Sequence, residues 1–307
     1  MSASGWVNRI ITGDARDVLN SLPPESVDLS FWSPPYYVGK SYEKHLSFTE
    51  WQSLLRDVIG CHNFVLRSGG FMVVNIADIL CFPDPDMPRY QADNVRGKKN
   101  GVTREQVLDA LSKNPNANRH ELASMLGCSE QTIQRRIEHN NVRGGKSSCS
   151  TKVLLTGNMV AEWAESAGLY LYDQRIWHKD PSWANSRWHS LSYRAIDEFE
   201  HVYVFWKPGI TKYDRGRLTD TEWSEWGSRG VWRIPSVTRN YRHEAEFPEE
   251  LARRVIQLYS PEGGVVIDPF VGTGTTTSVA KKLGRKWLGI DTVPNYTVLA
   301  VRRTNDN

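Results

Sequence analysis

Residues 263–277 read Gly-Gly-Val-Val-Ile-Asp-Pro-Phe-Val-Gly-Thr-Gly-Thr-Thr-Thr, an apolar strand followed by a glycine turn and the start of a helix. Gly272 and Gly274 let the backbone approach a ligand closely, and a helix from about Thr275 presents its N-terminus to that ligand. This pattern is typical of a loop that binds a nucleotide-type cofactor. It therefore predicts a cofactor site where a buried strand ends.

Three classes of cofactor use such a loop, and the residues favour them unequally. A P-loop requires Gly-Lys-Ser/Thr, whereas Gly274 is followed by three threonines. A dinucleotide fingerprint has a third glycine where Thr277 stands, which weakens that reading. S-adenosylmethionine needs no phosphate clamp and suits the aromatic residue of Phe270–Gly274. Farther on, Asp291 ends a second short strand, where an acid can accept both ribose hydroxyls or serve as an ordinary helix N-cap.

A second stretch, Val27–Trp32 followed by Ser33-Pro34-Pro35-Tyr36, suits a flat amino-bearing base. The exocyclic amine of cytosine or adenine is a poor nucleophile because its lone pair is delocalised into the ring. The Ser33 hydroxyl and the Pro34 carbonyl are acceptors that can restore that lone pair, and Tyr36 offers a face on which an extruded base can stack. The structural alternative is a proline-stiffened strand end with a tyrosine in the core.

Together the two stretches resemble the S-adenosylmethionine-dependent DNA amino-methyltransferases of the circularly permuted beta class, in which Ser/Asp-Pro-Pro-Tyr precedes the cofactor motif. The resemblance implies an α/β fold with a doubly wound, mainly parallel, seven-stranded Rossmann-like sheet whose first strand follows the last helix. It implies methyl transfer to the N4 amine of a cytosine flipped out of double-stranded DNA, with adenine N6 as the alternative. The catalytic residues would be Ser33, Pro34, Pro35 and Tyr36.

The same resemblance implies a set of residues around the cofactor. Asp14 follows a strand like the one whose acid lies near the adenine, and Phe247 belongs to a run, His243–Leu251, like the helix that packs over the methionine end. The full set is Asp14, Phe247, Asp268, Pro269, Phe270, Gly272, Thr273, Gly274, Thr275 and Asp291.

The alternation of strand-like and helix-like segments supports this fold class, because it predicts a mainly parallel sheet covered on both faces. Ligands bind such sheets at the carboxyl ends of the strands. Helices are predicted over Phe48–Leu66, Met159–Ser166 and Pro248–Tyr259. The predicted strands lie near Asn8–Thr12, Val27–Trp32, Gly70–Ile76, Leu171–Trp177, His201–Trp206, Val265–Asp268 and Lys286–Ile290.

The alternation of strand-like and helix-like segments stops over residues 81–149, which are therefore read as an insertion. The predicted catalytic domain consists of residues 1–80 and 150–307 on either side of it. A linker rich in proline, aspartate and then lysine precedes a predicted helix-turn-helix with helices over Thr103–Ser112, Asn118–Leu126 and Ser129–His139. Gly127 supplies the positive φ of the turn, and Ser129 can cap the third helix. Leu122, Met125, Ile133 and Ile137 are expected to face inward.

Residues on the third helix are of the types that contact bases and phosphates in a major groove. The segment 93–146 holds ten Lys/Arg against six Asp/Glu. The alternative is a three-helix bundle that packs against another protein surface. The predicted DNA-binding residues of this helix are Ser129, Gln131, Thr132, Gln134, Arg135 and Arg136.

Two tryptophan-rich segments are further candidates for DNA contact. The segment Trp177–His189 interleaves cations with aromatics, which predicts phosphate contacts from Lys179 and Arg187, with a buried core role for its tryptophans as the alternative. His178 is read as a structural histidine rather than a base. The segment Trp223–Trp232 is a second candidate.

Composition agrees with an enzyme of the cytoplasm or nucleoid. The chain has 307 residues, 39% hydrophobic content and a formal net charge of +3, which permits a polyanionic partner. The sequence shows no apolar run long enough to span a membrane and no pattern of a secretory signal, so a membrane location is not expected. Its four cysteines have no metal-ligand spacing, so no metal is expected, and none follows a proline as in cytosine-C5 methyltransferases.

Other functions and partners stay open at this point. The expected partners are double-stranded DNA and a cognate restriction endonuclease, with the chain as a monomer or homodimer. One alternative is a methyltransferase of RNA or of a protein amide. Another is a DNA-binding regulator that has lost catalysis.

Overall fold

The computed structural model describes residues 5–37, 46–87, 101–137, 150–181, 195–237 and 246–306. The chain divides into two compact units, one of residues 1–82, 152–181 and 198–307, and the other of residues 83–151 and 182–197. Within the described ranges, no helix is both long enough and apolar enough to cross a membrane.

The first unit contains an eight-stranded sheet in the order β1-β10-β9-β2-β3-β7-β6-β8. The strands β1, β10, β9, β2 and β3 are parallel, β7 is antiparallel to both of its neighbours, and β8 is parallel to β6. A separate two-stranded sheet joins β4 and β5. The strands are β1 Arg9–Thr12, β2 Val27–Trp32, β3 Leu66–Ile76, β4 Ile79–Asp84, β5 Ser150–Leu154, β6 Tyr170–His178, β7 Phe199–Trp206, β8 Val231–Arg233, β9 Val265–Asp268 and β10 Lys286–Asp291.

All seven predicted strands lie in the large sheet, but the predicted count of seven is one too few. The additional strand, β8, has three residues and lies inside the tryptophan-rich segment that is predicted to contact DNA. A strand this short shows no alternation of apolar and polar residues long enough to be recognised.

Helices cover both faces of the sheet. The central strand β2 is buried along its whole length, as expected for a parallel strand between two helical layers. One core cluster contains residues of α1, α2 and α6, and another contains residues of α8 and α9. The helices are α1 Ala15–Ser21, α2 Phe48–Val65, α3 Arg104–Lys113, α4 Arg119–Met125, α5 Glu130–Ile137, α6 Thr156–Ser166, α7 Asp220–Glu222, α8 Glu249–Tyr259, α9 Thr275–Lys282 and α10 Pro294–Asn305.

The two ends of the chain meet at one edge of the sheet. Strand β1 pairs in parallel with β10, with Thr12 opposite Asp291. The hydroxyl groups of Thr12 and Thr297 lie 2.7 Å apart, which attaches the last helix, α10, to the first strand. Strand β1 is therefore the edge strand beside β10, and α10 is attached to it.

The second unit contains α3, α4 and α5, which enclose a small core of Val102, Val107, Leu122, Ala123 and Ile133. Gly127 has φ +61° at the turn between α4 and α5, and the Ser129 hydroxyl accepts a hydrogen bond from the Thr132 amide at 3.3 Å.

For two side chains of this unit the prediction is wrong. Met125 and Ile137 are expected to face inward but are 56% and 37% exposed. Met125 is the last residue of α4 and Ile137 is the last described residue of α5, and neither belongs to the core that the three helices enclose. Leu126 and Cys128, in the turn, pack against that core.

Candidate active site

The predicted catalytic and cofactor motifs lie side by side at one edge of the sheet. Ser33–Tyr36 follows β2, and the glycine loop follows β9, the neighbouring strand, with Ser30 opposite Ile267. Because both strands run in the same direction and neighbouring strands lie about 4.8 Å apart, the two motifs begin close together. The ring of Phe270 packs 5.4 Å from the ring of Trp32, measured between centroids, and so joins the two segments.

The glycine loop has a backbone that residues with a side chain rarely adopt. Gly272 and Gly274 have φ +50° and +88°, a region in which residues with a Cβ are strained. A Cβ at Gly274 would come within 2.9 Å of the Cα of Ala300 in α10, so the loop also needs glycine for lack of space. Helix α9 starts directly after Gly274, and the side chain of Thr275 at its first position is buried.

Two acidic residues flank this loop. Asp291 accepts from the Gly272 amide at 3.0 Å and from the Val293 amide at 2.9 Å, which fixes its carboxylate at the tip of β10. Asp268 is buried and accepts from the Phe270 amide at 3.0 Å. Its burial raises its pKa to about 7, against the hydrogen bonds that favour its charged form. A cationic ligand at this place would favour ionised Asp268 and so be bound by it.

The loop and its carboxylates fit S-adenosylmethionine. Two acids, Asp268 and Asp291, suit a sulfonium cation and ribose hydroxyls, while a phosphate would meet repulsion there. The loop from Asp268 to Thr277 contains no lysine or arginine to clamp a phosphate.

A further polar cluster beside the loop is not foreseen from the sequence. Thr273 donates to Glu246 at 2.5 Å, and the guanidinium of Arg303 lies 3.3 Å from the Thr273 hydroxyl and 3.1 Å from Glu249. These contacts hold the segment before α8 and helix α10 against the loop. Phe247, predicted at the cofactor, packs its ring 5.2 Å from that of Phe31 in β2.

Asp14 lies at the end of β1, on the same edge of the sheet. It caps α1 by accepting from the Arg16 amide at 2.8 Å, and the Arg16 guanidinium lies 2.6 Å from its other oxygen. The hydrogen bond from the Arg16 side chain keeps the pKa of Asp14 below its usual value. Its carboxylate is thus ionised and fixed at the rim of the loop region.

The Ser-Pro-Pro-Tyr segment is held by a hydrogen-bond network. Ser33 Oγ donates to Tyr36 Oη at 2.8 Å, and Tyr36 Oη donates to Glu200 Oε2 at 2.6 Å. Asn75, at the end of β3, donates from Nδ2 to Tyr36 Oη at 2.9 Å and to Glu200 Oε2 at 2.7 Å. The Trp51 indole donates to the Pro35 carbonyl at 2.6 Å, which fixes the turn against α2. Sequence reasoning identifies Ser33 and Tyr36 but misses the other members.

Lys179 lies in this network. Its ammonium is 2.8 Å from Glu200 Oε1, with only 13% of the lysine side chain and 9% of the glutamate side chain exposed. Lys179, which is predicted to contact a phosphate, directs its charge at this buried carboxylate in the structure. Arg187, its predicted companion, lies outside the described residues.

Three tryptophans of the predicted contact segments are buried, whereas Trp183 and Trp188 lie outside the described residues. Trp177, Trp226 and Trp232 are 4%, 3% and 1% exposed. Arg175 and Arg254 stack on the Trp232 ring at 5.1 and 5.8 Å. Trp177 thus belongs to the core, which is the alternative stated for the tryptophans of Trp177–His189.

The predicted DNA-binding side chains of α5 differ in their surroundings. Arg136 is tied to its own unit, since its Nε donates to the Val102 carbonyl at 3.0 Å. Ser129 caps the helix by accepting from the Thr132 amide, and the hydroxyls of the two residues lie 3.0 Å apart. Gln131 is exposed. Gln134 and Arg135 are half-buried.

Comparison with known proteins identifies the family of the chain. A protein family described as DNA methylase, N6_N4_Mtase, matches residues 27–302. The type II methyltransferase M.BglI of Bacillus subtilis is 51% identical over 293 residues, which cover 95% of this chain and 84% of that protein. The solved structure of TTHA0409, a putative DNA modification methylase from Thermus thermophilus complexed with S-adenosyl-L-methionine, has a TM-score of 0.62 at 25% identity and covers 96% of this chain and 93% of its own. The PvuII DNA methyltransferase (cytosine-N4-specific) has a TM-score of 0.60 at 18% identity, covering 96% of this chain and 85% of its own. The chain belongs to the N6_N4 family of DNA methyltransferases.

Proposed function

We propose that this enzyme methylates the exocyclic N4 amine of a cytosine that is flipped out of duplex DNA. Its cofactor is S-adenosylmethionine, which when bound supplies a methyl group activated by the sulfonium. The observation that carries the proposal is the position of Ser33–Tyr36 at the end of β2, directly beside the loop that follows β9. An amine held at the first motif is within reach of a methyl donor held at the second.

The residues of the chain act mainly by positioning. Ser33 Oγ and the Pro34 carbonyl accept from the amine, which returns its lone pair to the nitrogen, and the face of Tyr36 holds the ring of the base. Gly272, Gly274 and Asp291 hold the cofactor. Fixing two reactants in this way supplies much of the rate without a covalent enzyme intermediate.

Cytosine N4 is proposed over adenine N6 because serine is the first residue of the motif. In the family that the motif resembles, serine usually accompanies cytosine N4 and aspartate adenine N6. Adenine N6 is the second candidate, since the matching family includes both chemistries.

The product of the reaction tests this proposal directly. Plasmid DNA methylated by the purified enzyme should yield N4-methylcytosine on enzymatic digestion and mass spectrometry, and single-molecule sequencing should place it in one sequence context. Ser33→Ala is the matched control, and it should abolish most of the product while cofactor affinity is unchanged. N6-methyladenine in place of N4-methylcytosine would refute the choice of base.

We also propose that residues 81–149 form an inserted helix-turn-helix module that binds DNA, and that residues 1–80 and 150–307 form a circularly permuted catalytic domain. The excess of basic residues in 93–146 and the meeting of β1 with β10 support these two proposals. M.BglI is a type II methyltransferase, and we infer that this chain likewise works beside a cognate restriction endonuclease, as a monomer or homodimer. Methylated plasmid should then resist an endonuclease of the same sequence specificity.

A further inference from the structure

We propose that Glu200 sets the direction of the hydrogen bond made by Ser33, acting through Tyr36. This inference rests on the proposed function, because it concerns the same amine-binding site. The contacts form a continuous chain in which Ser33 Oγ lies 2.8 Å from Tyr36 Oη, and Tyr36 Oη lies 2.6 Å from Glu200 Oε2. Glu200 is 7% exposed and lies 164 residues after Tyr36 in the chain, so nothing local in the sequence associates the two.

The direction of these hydrogen bonds follows from what each group can donate. Tyr36 Oη has a single proton, which is directed at Glu200 Oε2 at 2.6 Å rather than at the Asn75 carbonyl, which lies farther away at 3.2 Å. Asn75 supports the same arrangement, because its Nδ2 donates to both Tyr36 Oη and Glu200 Oε2. With its own proton engaged, Tyr36 Oη can only accept from Ser33. The proton of Ser33 is therefore directed at Tyr36.

This direction matters because a serine hydroxyl is both a donor and an acceptor. If its proton faced an incoming amine, the two groups would oppose each other through their hydrogens. When the Ser33 proton is directed at Tyr36, the lone pairs of Ser33 Oγ face the incoming amine, and Oγ can accept a hydrogen bond from its N–H. Glu200 thus makes Ser33 an acceptor, which is the property that activation of an aromatic amine requires.

Asn75 shows that this arrangement has a structural cost. Its side chain is 1% exposed, and its Oδ1 has no hydrogen-bond partner among the described residues. A rotated amide would satisfy neither partner of Nδ2 and would direct Oδ1 at the carboxylate of Glu200. A buried acceptor without a partner is destabilising and uncommon, and it indicates that another requirement fixes the amide. The donation to Tyr36 and Glu200 is that requirement.

Lys179 determines which role Glu200 can take. The ammonium lies 2.8 Å from Oε1, and both side chains are largely buried. Glu200 Oε1 is thus occupied by the ammonium, and Oε2 by the Tyr36 hydroxyl and the Asn75 amide, so every one of these contacts is a donor to the carboxylate. Glu200 therefore acts as an acceptor at both oxygens and is a positioning residue.

Tyr36→Phe tests the inference, since it keeps the stacking face and removes only the hydroxyl. The single-turnover rate of methyl transfer should fall about 10- to 100-fold, the effect of one preorganised hydrogen bond. The KM for DNA and the Kd for S-adenosylmethionine should stay within about threefold of the wild type. Tyr259→Phe is the control, because it removes a tyrosine hydroxyl that contacts Asp173 at 3.3 Å outside this network. Its loss should not change the rate.

A double-mutant cycle separates the chain of contacts from independent effects. Ser33→Ala with Tyr36→Phe should lose no more rate than the worse single variant, because both remove the same acceptor function. Glu200→Gln should repeat the loss of Tyr36→Phe with unchanged cofactor affinity, which also shows that the variant is folded. The inference would be overturned if the rate losses of the two single variants multiplied in the double variant, or if Glu200→Gln were fully active.

The outcome is distinguishable from failure of the proposed function. If the wild-type enzyme methylates no base, the proposed function fails and the inference fails with it. If the wild type methylates cytosine or adenine and the losses multiply, only the inference fails, since either amine needs the same acceptor.

Discussion

Replacing Gly274 by alanine should damage both the fold and the cofactor site, in contrast to the same change at Gly284. Gly274 has φ +88° and Gly284 has φ +71°, so both alanines meet the left-handed backbone penalty of about 1–2 kcal/mol. The Cβ at Gly274 would in addition lie 2.9 Å from Ala300 Cα and 3.1 Å from its carbonyl oxygen, whereas nothing lies within 4 Å at Gly284. Because the atoms that the new Cβ would meet belong to the backbone, α10 or the loop has to shift. This shift lowers stability by about 1–3 kcal/mol in addition.

The expected loss in unfolding free energy is therefore about 2–5 kcal/mol for Gly274→Ala and about 1–2 kcal/mol for Gly284→Ala. Equilibrium urea denaturation measures both values, and calorimetric titration measures the affinity for S-adenosylmethionine. Only Gly274→Ala should weaken that affinity, because only it displaces the loop between Asp268 and α9. Equal losses of stability, or an unchanged affinity in Gly274→Ala, would refute the assignment of this loop and the packing argument together.

Three further predictions concern the charges of the site and of the second unit. Asp291→Ala should weaken S-adenosylmethionine binding about 10- to 100-fold in calorimetry, because hydrogen bonds to a charged group contribute about 1.5–3 kcal/mol. An unchanged Kd would contradict the role of Asp291 in binding the cofactor. Burial raises the pKa of Asp268 in the folded chain from 3.8 to about 7, so the native state binds more protons than the unfolded state in this range and stability should fall as pH rises from about 4 to 7. Asp268→Asn should flatten that slope in urea titrations at several pH values, and an identical slope would show that another group causes it. Arg135→Ala should change the sequences that are methylated or lower the salt dependence of DNA binding. Arg136→Ala loses the hydrogen bond to the Val102 carbonyl and should mainly lower stability. If Arg135→Ala had no effect on DNA binding or on the methylated sequences, the module would not be a DNA reader.

The fold class and the two motifs could be predicted because their signals are local. The strand before Gly272, the positive φ of Gly272 and Gly274, and the helix after them are all encoded within fifteen consecutive residues. The same holds for the turn at Gly127. In such segments the backbone requirement and the residue type that meets it stand together in the chain.

The polar network around Tyr36 could not be predicted for the opposite reason. Asn75 and Glu200 are 125 residues apart in the chain and meet only because β3 and β7 are neighbours in the sheet. In sequence, Glu200 resembles an ordinary acid at the start of a strand, and Lys179 resembles a surface cation. The pairing of strands, which periodicity does not specify, decides that these charges are buried together.

The position of β2 in the sheet has a consequence for synthesis on the ribosome. Its partner β9 begins 238 residues after Val27, so one edge of this wholly buried and mainly apolar strand stays unpaired until β9 emerges. At about 5–20 residues per second that interval is about 10–50 s. An exposed apolar strand edge is prone to pair with other chains, so the nascent enzyme should depend on chaperones during this interval and gain its protection only when the cofactor loop has been made.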